Sequence, residues 1–256
     1  MVPLLQIALM AALAAWFFSG AAAQSNYNWQ WYRIPPYLGF FDESGFFVWG
    51  SLLKGLGTTL AISSVSLFAS CLIGLVTALC RLSSSFSLMA LARVYLELVR
   101  NTPLIVQIFF IYFVIAPAVG FDRFTAAVIA LSLFEGAYAS EIIRAGIVNV
   151  SSHQWEAAES IGLGKFLIYR HIVLPQAVPV IIPPLAGQMI SLVKDSALVS
   201  TIALYDLTME GQIIIAETYM VFEVWLTVAA IYIILTSGLS IITHLLEKKF
   251  SNRYKN

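Results

Sequence analysis

Apolar runs of membrane length, separated by short polar breaks, dominate the chain. A helix needs about 20 predominantly apolar residues to cross a bilayer. Val2 to Ala23 is the first such run, and Ser51 to Cys80 the second, with Lys54 near its start and Arg81 closing it. Leu88 to Val119 is long enough to span but is interrupted by Arg100-Asn101-Thr102-Pro103. Phe124 to Ile143, Ala177 to Val193 and Val224 to Leu246 complete the set. The runs are too long for strands, so the pattern predicts an all-α, polytopic membrane bundle of five core transmembrane helices plus an N-terminal one. Residues 1–23 form that first helix, 24–50 an aromatic external or interfacial segment, 51–247 the helical domain and 248–256 a hydrophilic tail. Pro183-Pro184 adds a possible discontinuity to the fourth core span, while 196–223 is mixed in character and is expected to fold at the far surface.

Composition agrees. Hydrophobic residues make up 60% of the 256 positions and charged residues 11%, against about a quarter charged in a soluble domain. Most of the surface must therefore face lipid or apolar partners. The net charge of zero excludes nucleic acid as a partner, since binding it would leave a basic excess. Cys71 and Cys80 lie nine residues apart in one apolar run, on opposite helix faces about 13 Å from each other, too far for a disulfide. His153, His171 and His244 are scattered and predict no metal site.

Lysine and arginine accumulate in cytoplasmic loops. Alternating the spans puts nine of them (Arg81, Arg93, Arg144, Lys165, Arg170, Lys248, Lys249, Arg253 and Lys255) on one side and three (Arg33, Lys54 and Arg123) on the other. The first side is read as cytoplasmic, with the C-terminus and the polar connector 151–175 on it. Residues 1–23 have two readings. Ala21-Ala22-Ala23 fits a signal-peptide cleavage site, but the run is long and lacks a positive leader, which favours a retained helix.

The connector carries the most specific signal. Ser151 or Ser152 can cap a short helix that Gly162 ends. Lys165 to His171 forms a second, and Pro175 is expected to stop it before the next span. Low bulk at Ala157 and Ala158 would let another protein's backbone approach. The spacing Glu-Ala-Ala-x3-Gly-x9-Ile-x-Leu-Pro is filled by Glu156, Ala157, Ala158, Gly162, Ile172, Leu174 and Pro175. It resembles the signature of the membrane subunits of ATP-binding-cassette importers of type I. Arg100–Gln107, Gly136–Gly146 and Lys194–Ser200 look like the polar amino acid uptake branch of that family, and the resemblance runs from about Gly55 to Leu246.

The resemblance implies a permease subunit in the cytoplasmic membrane of a bacterium. It would pair with a second permease subunit, identical or homologous, and a periplasmic binding protein would deliver the amino acid. Glu156, Ala157, Ala158, Gly162, Leu174 and Pro175 would dock into a separate ATPase, whose closure would rock the membrane subunits. No cofactor is then expected on this chain, with ATP and Mg held by the ATPase. Gly162-Leu163-Gly164-Lys165-Phe166 falls short of a phosphate loop, because Glu159 stands where the first glycine belongs and no Ser or Thr follows Lys165. An ion-gradient-driven carrier would call for inverted repeats and more helices. A membrane enzyme or scaffold would call for clustered ligands or a large polar face. The sequence offers neither.

Charges at bilayer depth cost about 2.5–3.5 kcal/mol on insertion scales, so those present need a reason. Arg100, Thr102, Gln107, Glu135, Lys194 and Asp195 are the candidates for a substrate pathway. Glu97 and Arg100 stand at i and i+3 and would either pair or line the route. Thr102 can cap a new helix with Pro103 at its first position, and broken helices near the midplane often bind substrate. Glu135 would meet a substrate ammonium or a neighbouring helix. Lys194 and Asp195 would form an ion pair or a gate.

Overall fold

A computed structural model describes residues 27–251; the expectations for residues 1–23 and for the end of the tail lie outside that range. An irregular aromatic segment comes first, with a short helix α1 (Pro35–Leu38) and a two-stranded antiparallel hairpin, β1 (Gly39–Phe41) and β2 (Phe47–Trp49). Sequence reading missed this hairpin, which is too short to leave a period-two pattern. Asp42 closes its turn by accepting from the backbone N–H groups of Ser44 and Phe46, each at 2.9 Å, and Gly45 supplies the positive φ of 79°.

The helical domain follows. Helix α2 (Ser51–Leu82) is an unbroken span, while α3 (Phe86–Arg100) and α4 (Leu104–Phe110) are the halves of a bent one. Helix α4 continues through a π turn at Ile111–Ile115 into α5 (Ala116–Val119). Asp122 caps α6 (Arg123–Val148), accepting from the N–H of Thr125 at 3.1 Å. The short helices α7 (Ser152–Ser160) and α8 (Lys165–Ile168) form the connector, before α9 (Leu174–Asp195). A 3-10 stretch (Ser196–Ile202), α10 (Leu207–Thr218) and α11 (Val221–Ser251) complete the chain. Among the described residues, four helices, or five spans with the bent pair, are long and apolar enough to cross a membrane.

The centre of the domain is the seam between α2 and α6. Helix α2 turns a stripe of small residues inward, with Gly55, Thr59, Ser63, Ser66, Ser70 and Gly74 buried. In lipid no hydrophobic force pulls helices together, so close approach of small residues supplies the packing. A Cβ on Gly74 would stand 2.7 Å from the Ala139 Cβ, and one on Gly136 2.8 Å from the Ile73 side chain. Ser132 Oγ donates to the Ser66 carbonyl at 3.5 Å. Contacts thus rise together along both helices, from 66 with 132 to 74 with 139, so α2 and α6 run parallel. Helix α9 runs antiparallel to α6, with Gly146 against Ile181 and Glu135 against Gln188. The connector and Arg81 therefore share one end of the bundle, and Lys54, Arg123 and α10 the other, as the alternation of spans predicted.

Pro175 does not stop a helix. The chain stays helical from Lys165 to Ile202, with a π turn at Tyr169–Val173 just ahead of the proline. Pro183 and Pro184 likewise lie inside α9 without ending it.

Candidate functional site

Two regions hold the predicted residues. The first is the connector. Ser151 takes the N-cap position of α7, although its side chain makes no capping hydrogen bond, and Gly162 ends the turn at φ 80°. Ala158 faces inward, 2% exposed, among Ala78, Ile143, Ile147, Ile168 and Val173. This corrects the expectation that both alanines face a partner. An amphipathic helix must bury one side, and here Ala158 lies on it. Glu156, Ala157 and Gly162 are exposed, as are Leu174 and Pro175. Trp155 braces the connector edge-on against Tyr169, their ring centroids 5.2 Å apart. Ile161 and Phe166, 76% and 73% exposed, crown the same surface. Sequence reasoning passed over them, although two bulky apolar side chains beside a glycine turn in a polar connector were a legible cue.

The second region is the bent span. Helices α3 and α4 meet at 105°. The break falls where the sequence predicted, by a different route. Pro103, not Thr102, occupies the cap position of α4, with no side-chain cap bond. Thr102 serves the helix behind it, donating from Oγ1 to the Leu98 carbonyl at 2.8 Å. Gln107 reaches back from α4, its Nε2 donating to the Val99 carbonyl and to Thr102 Oγ1, each at 2.8 Å. Both candidates therefore act within the chain, stapling the bend.

Arg100 and Glu97 do not pair with each other. The Asn101 amide donates to Glu97 Oε2 at 2.7 Å, and the Arg100 guanidinium carbon lies 5.9 Å from the centre of the Tyr138 ring. Leu96, Glu97, Arg100, Asn101 and Tyr138 line an open polar cavity of about 290 Å³. Thr102 and Gln107 border a different cavity, about 390 Å³ and mostly apolar. Glu135 is fully buried, and its Oε2 accepts from Gln188. Asp195 lies near both Glu135 of α6 and Lys194, but the expected Lys194–Asp195 ion pair does not close. Lys194 is exposed, and the pair is absent from the ion pairs of the described residues. The six pathway candidates thus separate into three places: Arg100 beside the polar cavity, Thr102 with Gln107 at the bend, and Glu135 with Asp195 between helices, Lys194 adjoining.

At the connector end, Glu141 joins α2 to α6, bonded to Arg81 and, at 2.6 Å, to Arg144. Sequence reading put Arg81 and Arg144 on one side of the membrane but gave no sign that Arg81 and Glu141, sixty positions apart, meet.

A bundle of parallel and antiparallel spans with a braced helical connector at one end defines a membrane transport subunit. Residues 70–255 match the family described as "Binding-protein-dependent transport system inner membrane component", and the chain belongs to it. It is therefore a multi-pass membrane protein, the transmembrane subunit of an ATP-binding-cassette importer and not itself an ATPase. The ion-gradient-driven carrier is not favoured. A Rickettsia conorii protein named as a glutamine transport system permease, GlnP, is 39% identical over 212 residues, covering 82% of this chain and 95% of its own length. The glutamine transport system permease protein GlnP of Escherichia coli is 36% identical over 201 residues, covering 77% of this chain and 92% of its own. Among solved structures, a chain of an amino acid ABC transporter crystallised with histidines is 38% identical. It superposes with a TM-score of 0.73, covering 78% of this chain and 94% of that one. The fold is shared with the MetNI methionine ABC transporter, at 22% identity and a TM-score of 0.67.

Proposed function

We propose that this subunit carries a polar amino acid through the cytoplasmic membrane of a bacterium, working with a second permease subunit and a periplasmic binding protein. ATP and Mg belong to separate ATPase subunits. The cavity between Glu97, Arg100 and Tyr138 carries the substrate reading. A free amino acid is a zwitterion, and this cavity offers a guanidinium for its carboxylate and a carboxylate for its ammonium. At about 290 Å³ it has room for such a solute and some water, at about 30 Å³ per water molecule. The relatives' names, glutamine and amino acid transport among them, agree with it.

In this reading the ATPase seats on Glu156, Ala157 and Gly162, with Ile161 and Phe166 filling apolar pockets of the partner, and Leu174 and Pro175 edging the contact. Ala158 supports the seat from inside. Push on the connector passes through the Trp155–Tyr169 contact into α9 and through the shared core into α6. The connector end, with the greater share of Lys and Arg, faces the cytoplasm, and so does the C-terminus.

The test has two arms. The ATPase should copurify with the wild type and be lost from a Glu156→Lys, Gly162→Asp double variant. Arg100→Gln should keep the ATPase yet raise the KM for amino acid uptake by about tenfold, the loss of one charge-assisted hydrogen bond. An Arg100→Gln transporter with unaltered KM for every amino acid tried would remove the cavity from the route.

A further inference from the structure

We infer that the aromatic segment 29–49 is a membrane-surface foot, lying in the headgroup layer of the outer leaflet and held to the transporter by Glu223. The inference rests on the membrane embedding of the chain and on the orientation proposed above, and not on the identity of the solute. The segment precedes the residues matched by the family, and none of the transport geometry above uses it.

Its surface is the first observation. Trp31, Tyr32, Phe41, Phe46 and Trp49 are all exposed, Tyr32 at 78% and Phe46 at 73%. Between positions 29 and 49 the only charged residues are Arg33, Asp42 and Glu43, and Asp42 is occupied with its own turn. So many contiguous aromatic side chains do not stay in water. Trp and Tyr, with an apolar ring and a polar edge, partition to the boundary between acyl chains and headgroups.

Its attachment is the second. Glu223, in the first turn of α11, is fully buried. It accepts from the Tyr27 hydroxyl, and from the Gln30 backbone N–H at 2.6 Å. The Gly50 N–H, at the start of α2, donates to the Leu38 carbonyl at 2.9 Å. The segment is thus fastened to the first turns of two spans, at the membrane surface by construction.

Its continuity with the span surface identifies the occupant. Phe222 of α11 meets the Tyr27 ring at 4.9 Å and the Trp29 ring at 5.9 Å between centroids. Trp29 in turn stacks on Trp31, 5.9 Å away with the planes 4° apart. Phe222, Trp225 and Leu226 are themselves exposed on α11. The aromatic surface therefore extends, ring by ring, from the outer side of a transmembrane helix, which fits lipid as the occupant.

The full chain, reconstituted in vesicles of phosphatidylethanolamine and phosphatidylglycerol, tests this with spin labels. Single cysteines at Tyr32, Phe41 and Phe46, in a Cys71→Ala, Cys80→Ala background, are compared with one at Lys248, exposed at the hydrophilic end of α11. Oxygen collides with labels in lipid, and a water-soluble nickel chelate with labels in water. The expected result is an oxygen-to-nickel collision ratio several-fold higher at 32, 41 and 46 than at 248. Ratios equal to that at 248 would overturn the inference. So would labels that become shielded from nickel only when a periplasmic binding protein is added, since the surface would then be a protein dock. Glu223→Ala should release the foot and lower the ratio at 32, whereas Glu223→Gln, which still accepts from Gln30, should retain it. Circular dichroism and ATPase copurification establish that each variant is folded.

Discussion

Pro103 and Pro175 each deprive a membrane helix of a backbone donor, yet the chain bends by 105° at the first and runs on as helix through the second. The difference lies in the carbonyls left behind. Ahead of Pro103, three successive carbonyls are served by side chains at 2.8 Å: Glu97 by Asn101 Nδ2, Leu98 by Thr102 Oγ1 and Val99 by Gln107 Nε2. A helix can stop at bilayer depth only if its terminal carbonyls find such partners. Ahead of Pro175 the backbone widens into a π turn, which relieves the clash between the ring and the preceding carbonyl. Gln176 Nε2 steadies that turn by donating to the Ile172 carbonyl at 2.8 Å. A proline permits a break, and the side chains around it determine whether one forms.

Removing all three caps attacks this contrast most directly. An Asn101→Ala, Thr102→Val, Gln107→Leu triple variant orphans the Leu98 and Val99 carbonyls, at roughly 1 kcal/mol or more each, and leaves the Glu97 carbonyl only the Asn101 N–H at 3.3 Å. The bent span should lose its fixed angle, with uptake abolished and the thermal midpoint of the purified complex lowered by many degrees. A triple variant with wild-type midpoint and uptake would show that the bend is held elsewhere.

This contrast also explains what the sequence disclosed. The spans were legible because membrane thickness fixes a length, and the connector because its motif is local. The break at 101–103 was legible too, but its mechanism was not. Thr102 beside Pro103 reads as a cap for the helix ahead, and only the fold shows that Gln107 can reach back across the bend. Pro175 misled for the same reason, since a π turn leaves no mark in composition. Long-range partners such as Glu135 with Gln188, Arg81 with Glu141 and Glu223 with Tyr27 depend on helix register, which apolar periodicity barely specifies when both faces are apolar.

Helix starts sharpen the comparison, because there donors rather than carbonyls need partners. Asp206 caps α10, accepting from the Met209 N–H at 2.8 Å. Burial, outweighing the backbone hydrogen bonds, raises its pKa from 3.8 to about 6, with the Tyr232 hydroxyl nearby. The folded protein therefore holds this proton more tightly than the unfolded chain does. Asp206 should favour folding most below about pH 4, lose that contribution as pH rises to about 6, and change little above. Asparagine keeps the cap and cannot ionise. Asp206→Asn should flatten that part of the stability profile and stabilise the protein above pH 6 by on the order of 2 to 3 kcal/mol. Thermal unfolding across pH 4 to 8 reads both effects, and parallel profiles for the two proteins would refute the assignment.

Single substitutions at the bend separate stapling from substrate contact. Gln107→Ala removes the bond to the Val99 carbonyl and those to the Thr102 carbonyl and Oγ1, a loss of about 1 kcal/mol. Because the amide is spent within the chain, the uptake KM should stay put while Vmax and the thermal midpoint fall slightly. Thr102→Val should behave alike. A KM that rises in either variant, at normal ATPase coupling, would return these two residues to the solute's path.

Replacing the prolines themselves should have the smallest effect, and that smallness discriminates. If the ring caused the bend, Pro103→Ala would let α3 and α4 join into one straight helix. If the side-chain caps hold it, the carbonyls of residues 97 to 99 stay occupied and the angle persists. Pro175→Ala restores a backbone N–H and removes the reason for the wide turn, so the π turn can close to α-helical geometry and shift the connector by part of a turn. Spin-label distances between positions 90 and 114 should be unchanged in Pro103→Ala, and those between 161 and 186 slightly altered in Pro175→Ala. The reverse pattern would mean that the prolines, not the amide and hydroxyl groups beside them, shape this membrane domain.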